Sequence, residues 1–124
     1  MTRQIAQTAL AVSFALALGA CGSSEKKPDT EIAMTRAALQ SAETAGARQY
    51  APIELRLARE KQENAEKKLA KEEYESARRY SQQAIVDAEL AKAKSEAEKS
   101  RLALKEVQDS IQMMRQEVGR ASGQ

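Results

Sequence analysis

Past residue 28 the apolar positions recur every three or four residues, the spacing of a helix face, with polar residues filling the intervals. Ile32, Thr35, Leu39, Ala42 and Gly46 form a narrow first face. Asp29 or Thr30 can cap that helix, and Glu31 sits near its positive end. The run Gly46-Ala47-Arg48-Gln49-Tyr50-Ala51-Pro52 then interrupts the pattern, because proline disfavours helix at the residue before it yet suits the first turn of a new one. Leu55, Ala58, Gln62, Ala65 and Leu69 form the face of a second helix.

Beyond Leu69 two phases compete. The first runs through Glu72, Ser76, Arg79, Gln83 and Val86, then Leu90, Ala93, Ala97, Ser100, Leu104, Val107, Ile111, Met114 and Val118. A single helix in that phase would be a rod of about 100 Å at ~1.5 Å per residue, but an unbroken coiled coil would have to bury Glu72, Arg79 and Gln83. The second phase uses the small residues Tyr74, Ala77, Ser81, Ala84, Ala88, Ala91 and Ser95, with the tyrosine as its one large member. Those residues let two helices approach closely, so the spacing predicts an antiparallel pair turning near Lys71 to Glu73, although no Gly or Pro marks the turn. The continuous rod is the alternative. The expected fold is therefore all-α: a short first helix, then an antiparallel hairpin whose last helix is long and coiled-coil-like.

In that hairpin the second helix covers only the first part of the third. The remainder, from about Ser95 to Val118, must be covered by the first helix, by another subunit or by a partner. Leu104, Val107, Ile111, Met114 and Val118 are larger and more apolar than the middle of the chain and are flanked by charges, so they form a candidate interaction seam.

The first twenty residues have another pattern. Arg3 precedes an uncharged, mostly apolar stretch from Ile5 to Leu18, which is followed by Gly19, Ala20 and Cys21. This is a signal-peptide layout, and the stretch falls short of the roughly 20 residues a membrane-spanning helix needs. Leu18-Gly19-Ala20-Cys21 resembles the lipobox of bacterial lipoproteins; the other reading is an ordinary secretory signal with a chance cysteine. The resemblance implies cleavage before Cys21, acylation of that cysteine (palmitate or a similar chain) and a membrane-bound mature protein. Two or three acyl chains hold stably where one holds only reversibly, at about 0.8 kcal/mol per buried methylene. Gly22 in place of Asp after the cysteine favours, by the same resemblance, the outer membrane with the protein facing the periplasm. The expected organisation is a signal peptide over 1–20, a flexible tether over 21–28, a helical domain over 29–119 and a disordered tail over 120–124.

Composition narrows the chemistry. Among 124 residues, 20 bases against 18 acids leave +2, and no dense basic patch forms, so nucleic acid is not an expected partner. Aromatics are only 3%, which leaves an aliphatic, alanine-rich core. With no His and one Cys, no zinc site, Ser-His-Asp triad or Cys-His pair can be assembled, and no catalytic residue, metal or cofactor is expected. Acidic residues alternate with basic ones at helical spacing, as in Glu63 and Lys67, which suits a solvated face, and no small-molecule substrate is implied. Tyr50 and Tyr74 are expected to cap the small core. Tyr80, off both stripes, is the more exposed aromatic.

Ala37-Ala38 through Ser41, Ala45-Gly46-Ala47, Tyr50-Ala51-Pro52, Glu54-Leu55, Ala58, Ala65, Leu69, Tyr74, Ala77, Ala84 and Asp87 through Ala93 together resemble the domain-of-unknown-function 4398 family of bacterial envelope proteins. The resemblance spans about residues 30 to 95, and its most specific part is the Gly-Ala-x-x-Tyr-Ala-Pro turn. Some relatives carry a cell-wall-binding domain after this module, which implies association with the envelope; that domain is not present in this sequence. The family brings no activity to transfer.

The expected function is a lipid-anchored, periplasm-facing scaffold or adaptor acting through helix-mediated contacts, with itself or with another envelope protein. Two other readings are a structural spacer between outer membrane and cell wall, similar to the major outer-membrane lipoprotein but without its terminal lysine, and a regulatory subunit of a cell-wall enzyme.

Overall fold

The computed structural model describes residues 26–123, so Leu18, Gly19, Ala20, Cys21 and most of the tether lie outside the described residues. The rest is all-helical: α1 (Asp29–Thr44), α2 (Ala47–Tyr50), α3 (Pro52–Ala70) and α4 (Tyr74–Ser122). The hairpin forms, and the continuous rod does not.

Helix α1 buries Ile32, Thr35, Leu39 and Ala42, the face its spacing predicts. Its start differs from expectation. Neither Asp29 nor Thr30 caps it; Pro28 precedes the first turn, is itself buried, and its carbonyl accepts the Ile32 N–H at 3.1 Å. Asp29 instead lies in the first turn, where its charge opposes the positive end of the helix. Arg78 also donates to the Lys26 carbonyl at 2.9 Å, so the chain at Lys26 lies against the start of α4.

Gly46 ends α1 with φ +92°, a conformation that costs an L side chain roughly 1–2 kcal/mol. Its carbonyl accepts from Gln49 and Tyr50 at 3.0 and 3.1 Å, which starts the single turn of α2 that the sequence pattern does not reveal. A Cβ at Gly46 would stand 3.1 Å from the movable tip of Lys99 and 3.3 Å from Tyr50 Cδ2, so it is φ, more than crowding, that calls for glycine here. Pro52 opens α3 in its first turn, as expected.

Helix α3 buries Leu55, Ala58 and Ala65 and ends at Ala70. Its stop is a Schellman arrangement: Glu73 N–H reaches the Lys68 carbonyl and Glu72 N–H the Leu69 carbonyl, both at 3.0 Å. The left-handed position that glycine usually takes is filled by Glu72, with φ 61°. The turn therefore lacks the residue that advertises such turns in a sequence.

Helix α4, at 49 residues, is about 73 Å long at ~1.5 Å per residue. It buries Ala77, Ser81, Ala84, Ala88, Ala91 and Ser95, the small-residue phase. Two helices pack on that stripe from opposite directions. On α3, Glu54 pairs with Lys94 and Lys61 with Asp87, so α3 runs antiparallel to α4. On α1, Glu31 pairs with Arg78 and Thr35 Oγ1 reaches toward the Ser81 carbonyl at 3.2 Å, so α1 runs parallel to it. The largest members of the main core cluster are Leu39 and Leu55, packed with Ala42, Ala47, Ala51, Ala58, Ala88 and Ala91. Each such leucine contributes roughly 1.5–3 kcal/mol on burial, while the alanines chiefly bring backbones close.

The bundle ends near Lys99, whose ammonium lies over the Tyr50 ring, 6.0 Å from its centroid. Past Ser95 every residue of α4 is exposed except the half-covered Glu98 and Ser110. Helix α1 is used along the first half of α4, so of the three covers the sequence left open for the C-terminal half, the first helix is not the one. The helix also continues to Ser122, beyond the expected end at 119.

Candidate interaction seam

Leu104, Val107, Ile111, Met114 and Val118 lie on one face of α4, each between 40% and 68% exposed. The structure brings these residues into one line, and no other described residue covers them. Two further large residues continue the line into the bundle: Val86 and Leu90 are exposed on the outer side of α4, in the same phase, with Ala93 and Ala97 between. They belong to the first of the two sequence phases, and their spacing was the signal. Ser95 on the buried stripe and Ala97 on the outer line are two residues apart, about 200° around the helix. The seam thus faces away from α1 and α3 throughout.

The free half of α4 has little else to hold it. Arg101 grips Glu98 through two hydrogen bonds of 2.9 and 2.6 Å at the root of the projection. Beyond Arg101 no ion pair forms among the described residues. An isolated helix of that length is marginal in water, since most helical stability in proteins comes from packing an amphipathic face. Contiguous exposed apolar surface of this kind marks interaction sites.

The remaining surface carries the separate apolar side chains Met34, Ile53, Leu57, Leu102 and Met113, together with charge pairs and shallow hollows. Glu43 on α1 accepts from Arg59 and Arg48, which hold its carboxyl below the usual carboxylate range, and Lys68 does the same for Glu73 across the α3–α4 turn. Glu54, Glu63 and Glu98 are likewise held low by Lys94, Lys67 and Arg101. Groups held ionised by adjacent bases suit ion pairing rather than proton transfer at neutral pH. The hollow beside the Lys61–Asp87 pair, about 290 Å³, is open and is lined by Arg79, Gln82, Gln83 and Val86 as well. Among the described residues no group of three or more Cys, Asp or Glu side chains could hold a metal ion, and no helix is long and apolar enough to cross a membrane. Tyr50, Tyr74 and Tyr80 are all half-buried, so the expected distinction for Tyr80 does not appear.

A family model described as a domain of unknown function (DUF4398) matches residues 30–107. The matched span covers the three-helix bundle and continues into the projection as far as Val107, twelve residues beyond the resemblance read from the sequence. No curated protein and no solved structure matches the chain.

Proposed function

The chain belongs to the DUF4398 family, and from that premise we propose that it is a lipid-anchored helical scaffold or adaptor of the bacterial envelope, facing the periplasm. Its working part is the projecting half of α4. The observation that carries the reading is the row of large apolar side chains, Leu104 to Val118, left exposed on a helix whose buried stripe is built from small ones.

The anchor in this reading is Cys21, in the Leu18-Gly19-Ala20-Cys21 setting, and Gly22 after it favours the outer membrane. The direction of the helices gives the arrangement a use. Lys26 touches Arg78 near the start of α4, whereas Ile111 lies 33 residues further on, about 50 Å at ~1.5 Å per residue. A tail on Cys21 would thus hold the bundle near the bilayer and carry the seam away from it, within reach of other envelope proteins.

Two measurements test this. The mass of the mature N-terminus should show Cys21 as the first residue with acyl chains attached; an intact leader or an unmodified cysteine would remove the anchor. Crosslinking in intact cells should join the chain to a partner or to itself through α4, and the double variant Leu104→Glu, Ile111→Glu should lose that product. Unchanged crosslinking in the variant would remove the seam.

The length of α4 also favours a second reading, a spacer between membrane and cell wall. Release of a heavier, covalently attached form on cell-wall digestion would select it.

A further inference from the structure

The outer line of α4 has the two-position repeat of a coiled coil. Leu90, Ala97, Leu104, Ile111 and Val118 occupy one core position, and Val86, Ala93, Ser100, Val107 and Met114 the other. The flanking positions are sorted by sign. On one side lie Glu89, Glu96 and Glu117, with Gln82, Ala103 and Ser110; on the other lie Lys94, Arg101 and Arg115, with Gln108 and with Asp87, which Lys61 already engages at 2.6 Å.

This sorting distinguishes orientations. In a parallel, in-register pair each acidic-side residue meets the basic-side residue five positions later on the other helix. Glu89 then faces Lys94 of the second copy and Glu96 faces its Arg101, each pair forming twice by symmetry. Ser110 faces Arg115, and no two like charges meet. In an antiparallel pair acidic side faces acidic side and basic faces basic, at any register, and like-charge juxtaposition disfavours the complex. Within one chain Lys94 is paired with Glu54, Arg101 with Glu98, and Glu96 with Lys92 at 3.9 Å. Ion pairs at a helix surface are weak, so these can be shared or exchanged at small cost. The branched side chains of Ile111 and Val118 at the first core position suit two strands, whereas Leu90 and Leu104 at that position and Val86 and Val107 at the second depart from that preference, so the sorted flanking charges carry the orientation.

We propose that α4 pairs with α4 of a second copy of this chain, parallel and in register, along the line from Val86 to Val118. The inference deepens the scaffold reading and rests on it. Both N-termini of such a dimer lie at the same end, as two anchors in one membrane require.

The test uses the full chain in detergent, with Cys21→Ser and one new cysteine: Leu104→Cys, Val118→Cys, or, on α1 away from the seam, Met34→Cys. All three positions are exposed, so folding is not at risk. Under mild oxidation Leu104→Cys and Val118→Cys should each crosslink to its own kind several-fold more than Met34→Cys. Glu96→Lys should lower that yield a few-fold, and adding Arg101→Glu should restore it. Crosslinks that form only when the Leu104→Cys and Val118→Cys chains are mixed would show an antiparallel pair and overturn the proposal. Yields at the Met34→Cys level together with a monomeric mass would overturn it too. In that case a crosslinked partner in cells that is lost with Leu104→Glu, Ile111→Glu would leave the scaffold reading standing with a foreign helix in the seam. Loss of both would remove the reading itself.

Discussion

The two halves of α4 invert the usual relation between size and burial. From Ala77 to Ser95 the helix buries only Ala and Ser, while from Leu104 to Val118 it exposes Leu, Val, Ile and Met. The difference follows from what each half must accommodate. In the first, α1 and α3 both approach one stripe, and small side chains are what let three backbones fit. In the second no described residue packs against the helix, so large side chains there are available for association.

Substitutions can break this comparison, beginning with the largest effect. Leu55→Ala should cost about 2–5 kcal/mol of unfolding free energy, as expected for a buried leucine in a thin core, whereas Leu104→Ala in dilute protein should stay within about 0.5 kcal/mol. Denaturant unfolding of both variants checks the contrast; equal costs would mean that the projecting half is packed after all. Ala88→Leu should destabilise by roughly 1–3 kcal/mol through overpacking between helices, although it adds apolar surface. Gly46→Ala should cost about 1–2 kcal/mol, because φ +92° penalises a Cβ. The opposite sign is expected at the hairpin turn. Glu72→Gly should raise stability by about 0.5–1 kcal/mol in thermal unfolding, by relieving a left-handed glutamate.

The smallest effect is acid sensitivity, and it belongs to the bundle. Glu43, hydrogen-bonded to Arg59 and Arg48, and Glu73, bonded to Lys68, are held below their ordinary value of 4.5. A carboxylate held low binds fewer protons folded than unfolded. Its contribution is therefore complete above the unfolded value and is lost as pH falls through the lower folded one. With no histidine in the chain, stability should be nearly flat from about pH 6 to 8 and decline below 4.5. Glu43→Gln should shrink that decline.

The α1 face, the small-residue stripe and Pro52 at the start of α3 were legible in the sequence because periodicity records which side of a helix is covered. The turn at 71–73 was legible only indirectly, through the conflict of burying Glu72, Arg79 and Gln83; its own residues carry no turn signal, since Glu72 takes the place of glycine. The single turn of α2 and the role of Pro28 were not legible, because both depend on backbone hydrogen bonds and on what packs above them. The seam residues were legible as a line, but whether α1 covered them was not. That depended on α1 running parallel to the first half of α4, a direction set by contacts such as Glu31 with Arg78 rather than by any pattern within either helix.

Amide hydrogen exchange along α4, measured at low and high protein concentration, tests the central claim most directly. Residues 77–95 should be protected at every concentration, and residues 100–122 should exchange rapidly when dilute and become protected only as the chain associates. Protection of 100–122 in the dilute monomer, or rapid exchange there at all concentrations and with every partner, would contradict it.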